Sequence, residues 1–229
     1  MSCSKNIEIV ISRYNESLEW LNYDPFNKYK NIIYNKGPND NFCKTNCVKV
    51  VNLENIGRCD HTYLFHIVEN YDNLADITIF LPGSVDIPNK LHKAILQLNE
   101  VEKHQNTVFI GHHFDNVKTR WGDFILDVWS ASHPNNCALN NERKLTPAKI
   151  RPFGKWYDTH FPGIDIQYAS HLGILGISKD HILQHKKSYY ENLIQEFDNS
   201  SNPEVGHYFE RSWNAVFHPL DGATFIQMY

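Results

Sequence analysis

The feature of this sequence that most constrains its fold is the alternation of short apolar runs with amphipathic segments in the first half of the chain. The apolar runs have the length and residue types of buried strands, and they lie at 7–11, 31–35, 48–51, 77–81 and 108–111. Two of the intervening segments have helical periodicity: one begins near Asp60 or Thr62, and the other covers 89–102. Because strands that alternate with helices are typical of parallel sheets, the sequence predicts an α/β fold with a mainly parallel central sheet flanked by helices.

The second half of the chain is less regular. A polar segment from 112 to 147 has neither strand nor helix periodicity, and long segments of this kind are usually functional loops or lids. Beyond it we predict a helix, a strand and two further helices, at 150–161, 169–177, 182–197 and 204–217. A short helix is also expected at 18–21, after the first strand.

The length and charge of the chain limit its organisation and its partners. No Pro/Gly/Ser-rich linker divides the 229 residues, which predicts a single domain over 1–229. The formal net charge of -4 gives no electrostatic case for binding nucleic acid or an anionic membrane. No apolar stretch is long enough for a signal peptide or a transmembrane segment, and the five cysteines are odd in number. We therefore expect a cytoplasmic protein with reduced thiols.

The cysteines leave one metal hypothesis open. Cys43, Cys47, Cys59 and His61 could form a zinc site, but their spacing matches no common zinc motif. Ordinary free thiols are the simpler interpretation.

The loops that follow the strands are the first place to look for a ligand site, because the crevice of an open α/β sheet lies at the carboxyl ends of its parallel strands. After the first strand, the guanidinium of Arg13 suits a phosphate, the ring of Tyr14 suits stacking, and Asn15 and Glu16 offer hydrogen bonds. The same loop, with Glu16, could instead only cap the next helix. Arg58 precedes a predicted helix, where a phosphate can contact both the guanidinium and the helix N-terminus.

The last predicted helix concentrates polar residues of catalytic type. Glu204, His207, Glu210 and Arg211 lie near its start, and apolar residues at helical spacing would hold the helix against the core. A carboxylate, an imidazole and a guanidinium on one rigid element are frequent in active sites. Alternatively, Glu204 only complements the helix dipole, and Glu210 and Arg211 form a local ion pair.

Several common enzyme motifs are absent from the sequence. The chain has no P-loop, no Gly-x-Gly-x-x-Gly fingerprint and no Gly-x-Ser-x-Gly elbow. This disfavours P-loop ATP hydrolysis, Rossmann dinucleotide binding and serine hydrolase chemistry. His112, His113 and Asp115 could hold the metal ion of a metal-dependent hydrolase, although a solvated histidine-rich loop is the simpler interpretation.

Four blocks of sequence, spread over most of the chain, occur in a specific order. They are IVISRYNE (9–16) with LEWL (18–21), NIGR (55–58) with HTYL (61–64), ENYD (69–72) leading into ITIFLPGS (77–84), and PE (203–204) with GHYFERSW (206–213). Together they resemble an uncharacterised protein family that is similar to the nucleotide-sugar-dependent glycosyltransferases of the A-type (GT-A) fold.

The resemblance implies a GT-A-like nucleotide-binding fold and the transfer of a sugar from a nucleotide-sugar donor to an acceptor. The acceptor would be a glycan, a protein or a small molecule. In the GT-A fold the nucleotide lies at the end of the first strand. The expected donor-binding residues are therefore Arg13, Tyr14, Asn15, Arg58 and Ser84.

The resemblance also implies a divalent cation, Mn²⁺ or Mg²⁺, at an Asp-x-Asp motif. The chain has no Asp-x-Asp, so we expect Asp86, assisted by His207, to hold the metal; a metal-independent enzyme is the alternative. For the base that deprotonates the acceptor hydroxyl we expect Glu204, with Glu210 as the alternative. The rival functions are a non-catalytic sugar- or nucleotide-binding protein of the same fold and the metal-dependent hydrolase.

Overall fold

A computed structural model describes residues 4–130, 132–134, 144–197 and 199–228 of the chain. The strands are β1 (Ile7–Arg13), β2 (Lys30–Asn35), β3 (Cys47–Asn52), β4 (Ile77–Pro82), β5 (Val108–His113), β6 (Tyr168–Ala169), β7 (Leu175–Ser178) and β8 (Thr224–Gln227). The helices are α1 (Arg58–Glu69), α2 (Pro88–His104), α3 (Val117–Trp121), α4 (Phe153–His160), α5 (Lys179–Leu183), α6 (Lys187–Ile194) and α7 (Glu204–Val216). Short 3₁₀ helices lie at Glu19–Asn22, Phe26–Lys28 and Tyr71–Asn73.

The strands form one mixed sheet of eight strands. Its order is β3-β2-β1-β4-β7-β5-β6, and β8 pairs with β5 outside this path. Strands β3, β2, β1 and β4 run parallel to one another, and β8 runs parallel to β5, whereas β7 is antiparallel to both β4 and β5. The predicted α/β class is confirmed, with a sheet that is mostly parallel.

The differences from the predicted elements lie mainly in the second half of the chain. The predicted strand 169–177 is two strands, because Leu172 (φ 76°) and Gly173 (φ 65°) turn the chain between β6 and β7. The predicted helix 182–197 is divided into α5 and α6, and the predicted helix 18–21 is a 3₁₀ turn. The long loop contains α3, and its part from 135 to 143 lies outside the described residues. Strand β8 was not predicted.

Two hydrophobic clusters cover the two faces of the sheet. Along β1, the side chain of Val10 packs with residues of α1, α4, α6 and α7, whereas those of Ile9 and Ile11 pack with residues of α2. This alternation buries both faces, as expected for the parallel part of a sheet. None of the helices in the described part of the chain is both long and apolar enough to cross a lipid bilayer.

The strand order contains a switch point between β1 and β4. From β1 the chain proceeds outward to β2 and β3, and it then returns to place β4 on the other side of β1. In open α/β sheets the ligand crevice lies at such a point, outside the carboxyl ends of the strands. The loops at this crevice are 12–16 and 82–86.

Candidate functional site

A cavity of about 370 Å³ lies at the carboxyl ends of β1 and β4. Its walls come from the loops after these two strands, the first turns of α1 and α2, the loop between β6 and β7, and the first half of α7. Both halves of the chain therefore meet at the crevice that the strand order predicts.

The loop after β1 is fixed by its own arginine. The guanidinium of Arg13, which is 1% exposed, donates to the carbonyl oxygen of Glu16 at 2.8 Å and to Asn39 Oδ1 at 2.8 Å. Asn39 in turn donates to Asn15 Oδ1 at 2.5 Å. Arg13 and Tyr14 line the cavity, whereas Asn15 is not among its described lining residues. Arg13 thus shapes the loop, and Tyr14 contributes to the cavity surface.

Glu16 joins the two strand ends. Its Oε2 accepts the backbone N–H groups of Tyr14 at 2.8 Å and Asn15 at 3.0 Å. Gly83, after β4, packs against the same carboxylate, and a Cβ at this position would lie 2.8 Å from Glu16 Oε2. Because that distance is shorter than a normal carbon–oxygen contact, a side chain at position 83 would force the two loops apart.

Arg58 enters the cavity from a left-handed turn. Gly57 (φ 62°) and Arg58 (φ 52°) both have positive φ, which is a strained conformation for arginine. The buried ammonium of Lys36 donates to the carbonyl oxygens of Ile56 and Arg58 and holds this turn. Burial lowers the pKa of Lys36 to about 7.

The guanidinium of Arg58 is oriented by two neighbours. It lies 3.8 Å from the ring centroid of Trp129, and its Nε donates to Asn202 Oδ1 at 3.0 Å. Burial lowers the pKa of Arg58 to about 10, so the side chain remains a cation at neutral pH. The predicted phosphate-binding arginine therefore lies in the cavity with a fixed orientation.

Lys90 is a second cation on the cavity wall, in the first turn of α2. Its Nζ donates to Ser84 Oγ at 2.7 Å, so the predicted donor-binding residue Ser84 positions a lysine. Burial lowers the pKa of Lys90, and Arg58 lowers it further, against the opposing charges of Glu16 and Glu210. Lys90 was not predicted from the sequence; the available signal was its place in the first turn of the helix after β4.

Two carboxyl groups line the cavity, Asp60 in α1 and Glu210 in α7, and their pKa values are shifted in opposite directions. Asp60 Oδ1 accepts the indole N–H of Trp213 at 3.0 Å, but burial and then the charge of Glu210 raise the pKa of Asp60 to about 7. Glu210 Oε1 accepts the N–H of Leu172 at 2.7 Å. Burial acts to raise the pKa of Glu210, but two neighbouring histidines and this N–H outweigh it, so the pKa lies below its ordinary value. Carboxyl groups with divergent pKa values are typical of acid–base sites.

The loop that holds Glu210 is itself held from two helices. Lys93 of α2, which is 1% exposed, donates to the carbonyl oxygen of His171 at 2.5 Å. Tyr63 of α1 donates to the carbonyl oxygen of Gly173 at 2.7 Å. Between these two anchors Leu172 adopts its positive φ and directs its N–H to the carboxylate.

His207 lies beside Glu210 on α7 and is 8% exposed. Its Nδ1 is 3.9 Å from Glu210 Oε2, and its ring centroid is 5.3 Å from that of Trp129. Burial lowers the pKa of His207 to about 4, so the imidazole is uncharged at neutral pH. Its buried Nε2 has no hydrogen-bond partner among the described residues.

Glu204, the first predicted base, has different surroundings. It is 0% exposed, and its two oxygens accept the N–H groups of Leu126 at 2.8 Å and Ala148 at 2.9 Å. The Nε of Arg151 lies 2.8 Å from Oε2, and Tyr208 donates to Oε1 at 2.9 Å. Glu204 is not among the described residues of the cavity wall. The structure places this carboxylate outside the described cavity lining, where it connects α7 to the preceding loop segments.

The two predicted metal ligands also have different surroundings. His207 lines the cavity, whereas Asp86 is absent from the lining that the structure describes. Both carboxylate oxygens of Asp86 lie near His133 Nε2, at 2.9 and 3.1 Å. Within the described ranges, no group of three or more histidine, cysteine, aspartate and glutamate side chains is arranged to hold a metal ion. These residues do not fit a Mn²⁺ or Mg²⁺ site centred on Asp86 and His207, and they give the zinc hypothesis no support.

The two histidines considered for a hydrolase lie on one strand, and their side chains point away from each other. Because successive side chains of a strand point to opposite faces, His112 and His113 at the end of β5 diverge. The ring of His112 lies 6.1 Å from that of His171, whereas the ring of His113 lies 5.1 Å from that of Tyr168. This arrangement gives no support to a metal ion shared by both histidines and Asp115.

A family comparison covers nearly the whole chain. Residues 9–223 match a family described as a protein of unknown function, DUF3431. The chain belongs to the DUF3431 family. The described lining residues, from Ser12 to Glu210, fall inside the matched range, so the cavity is part of the DUF3431 domain itself. No curated protein matches the chain.

In this DUF3431 protein the cavity brings together most of the residues that the sequence analysis selected. Those on the cavity wall are Arg13, Tyr14, Arg58, Ser84, His207 and Glu210, and those placed elsewhere are Asn15, Asp86 and Glu204. Lys90 was not predicted as a site residue, Asp60 was predicted only as a helix cap, and Glu16 was predicted either to hydrogen-bond a nucleotide or to cap the next helix. Their signal was position alone, since all three lie in a loop or first helical turn that follows a strand.

Proposed function

We propose that this DUF3431 protein is a glycosyltransferase-like enzyme that transfers a sugar from a nucleotide-sugar donor to an acceptor hydroxyl. One observation carries the proposal: two cations, Arg58 and Lys90, and the carboxylate of Glu210 line the same cavity at the switch point of the sheet. Cations of this kind suit a diphosphate, and the carboxylate suits a hydroxyl proton. The expected similarity of the four sequence blocks to GT-A glycosyltransferases points to the same substrate class.

Glu210 is the proposed base. The acceptor oxygen forms a bond to the anomeric carbon of the donor while the bond from that carbon to the phosphate oxygen breaks. The bonding electron pair leaves with the nucleoside diphosphate, and the hydroxyl proton passes to Glu210. A carboxylate whose pKa lies below its ordinary value is ionised at neutral pH, as this step requires. Arg58 and Lys90 would stabilise the charge of the leaving group.

Nucleotide-sugar binding and turnover test the proposal directly. Purified protein is screened by thermal shift against UDP-, GDP-, ADP- and CDP-sugars, and release of nucleoside diphosphate is measured with mixed sugar acceptors. At 100 times its dissociation constant, a bound donor should raise Tm by about 5–10 °C. Donor-dependent release of nucleoside diphosphate would support transfer. Absence of both binding and release in folded protein would contradict the proposal.

A non-catalytic sugar- or nucleotide-binding protein of the same fold is the second candidate. It is favoured by the environment of Glu204, whose oxygens are both occupied by hydrogen bonds within the fold. The screen separates the two candidates, because a binding protein would show the shift in Tm without release of nucleoside diphosphate.

A further inference from the structure

We infer that Lys90 and Arg58 bind the diphosphate of the donor directly, without a divalent cation. This inference rests on the proposed function and specifies how the site neutralises its substrate. It departs from the metal-dependent mechanism that the GT-A resemblance implies.

Apart from Glu210, the proposed base, the described carboxylates near the cavity are engaged by protein donors. Divalent cations such as Mg²⁺ bind through oxygen ligands, mostly carboxylates, and phosphates. Asp86 is paired with His133, and Glu16 accepts two backbone N–H groups. Asp60 accepts the indole N–H of Trp213. A metal ion at any of these carboxylates would have to compete with a donor that the fold already supplies.

Lys90 and Arg58 approach the cavity from two different helices, α2 and α1. Their two positive charges equal those of one divalent cation. Ser84 Oγ fixes the Lys90 ammonium at 2.7 Å, and the Trp129 ring fixes the Arg58 guanidinium at 3.8 Å. An ammonium has three N–H donors and a guanidinium has five, so each can also donate to phosphate oxygens.

The N-terminus of α2 adds positive potential at the same place. The helix has 17 residues and no acidic residue in its first turn, and its N-cap residue Ile87 supplies no side-chain hydrogen bond. The positive end of the helix dipole is therefore not neutralised by an acid of the helix itself. Both Ile87 and Lys90 line the cavity, so the dipole and the ammonium act on the same ligand.

The two cations also repel each other. Arg58 is close enough to Lys90 to lower the pKa of the lysine, in addition to the effect of burial. An anion between them removes this repulsion. A diphosphate between the two side chains would accept hydrogen bonds from both cations.

Calorimetric binding of UDP, GDP, ADP and CDP, in EDTA and in Mn²⁺, tests the inference. We expect one diphosphate to bind equally in both buffers, and Lys90→Met to weaken that binding by about 10- to 100-fold through loss of charged hydrogen bonds. Asp86→Ala should leave the affinity unchanged. Lys103→Met, at the exposed end of the same helix, is the matched control and should also have no effect.

The alternative outcomes are distinct. Binding that requires Mn²⁺ and is lost in Asp86→Ala would overturn the inference but keep the proposed function. Metal-independent binding that Lys90→Met and Arg58→Lys both leave unchanged would overturn the assignment of the two cations. Failure of every diphosphate and nucleotide sugar to bind folded protein in either buffer would overturn the proposed function itself.

Discussion

Glu204 and Glu210 lie on the same helix, α7, but the first contacts the loop segments before the helix and the second lines the cavity. Six positions at about 100° each place their carboxylates roughly 120° apart around the helix, so they face different neighbours. Glu204 shares its side of the helix with Tyr208 and faces the loop segments that precede α7. Glu210 faces the cavity and the Leu172 turn.

The difference between the two glutamates shows what decides the role of a buried acid. Glu204 is bonded to two backbone N–H groups, a tyrosine and Arg151, and it joins segments of the chain that are far apart in sequence. Glu210 has a single backbone donor at 2.7 Å and lies where a ligand can reach it. An acid of the first kind stabilises the fold, whereas one of the second kind can exchange a proton.

The largest effect is expected on turnover. Glu210→Gln should lower kcat by about 100- to 10,000-fold, because the amide cannot accept the acceptor proton. The KM for the donor and the Tm should change little, since the amide still accepts the Leu172 N–H. Steady-state release of nucleoside diphosphate measures kcat and KM, and a thermal melt measures Tm. The exposed Glu191→Gln variant is the control. Unchanged kcat in Glu210→Gln would remove Glu210 as the base.

Substitution of Glu204, in contrast, should lower the stability of the fold. Glu204→Ala leaves Arg151 and two backbone N–H groups without their carboxylate, which should cost about 3–5 kcal/mol of the free energy of unfolding. Urea denaturation measures the loss, and Glu191→Ala on the surface of α6 should stay within about 0.5 kcal/mol of the parent protein. A loss below about 1 kcal/mol would mean that the Glu204 network contributes little to the fold.

The smallest effect is expected for Asp60, whose titration should make the free energy of unfolding depend on pH. The folded protein holds its proton up to a pKa of about 7, whereas the unfolded chain loses it near the ordinary value of 3.8. The folded state thus binds more protons over this interval, and the contribution of Asp60 to stability falls as the pH rises from about 4 to about 7.

Asp60→Asn removes this titration while keeping an oxygen acceptor for Trp213. Relative to the parent protein, the variant should gain about 1–3 kcal/mol in the free energy of unfolding between pH 5 and pH 8. Urea denaturation at the two pH values measures the difference, in which the other titrating groups cancel. A difference independent of pH would show that Asp60 does not titrate in this range.

The sequence predicts the parallel part of the fold well because each element there has its own periodic signal. Strands β1, β2 and β4 each contain a short apolar run, and α2 has helical periodicity. The mixed part depends on contacts that local sequence does not encode. Strand β8 is a four-residue edge strand, and the break between β6 and β7 depends on a left-handed leucine that has no sequence signature.

The candidate site was predictable in its location but not in its assignment. The switch-point rule selects loops that line the cavity, and Arg58 and Glu210 were both chosen from their places on predicted helices. Sequence spacing did not reveal that Glu204 is occupied by N–H groups from positions 126 and 148, since these partners lie 78 and 56 residues away along the chain. It also did not reveal that Asp86 is paired with His133.

Two buried lysines, Lys36 and Lys93, each hold a left-handed turn at the rim of the cavity. Neither has to touch a substrate, yet one fixes the turn of Arg58 and the other the turn of Leu172. For the evolution of the family this means that each lysine and its turn should change together. A member that has lost Lys93 should also have a different residue or loop length around Leu172, and such paired changes would mark branches with altered chemistry.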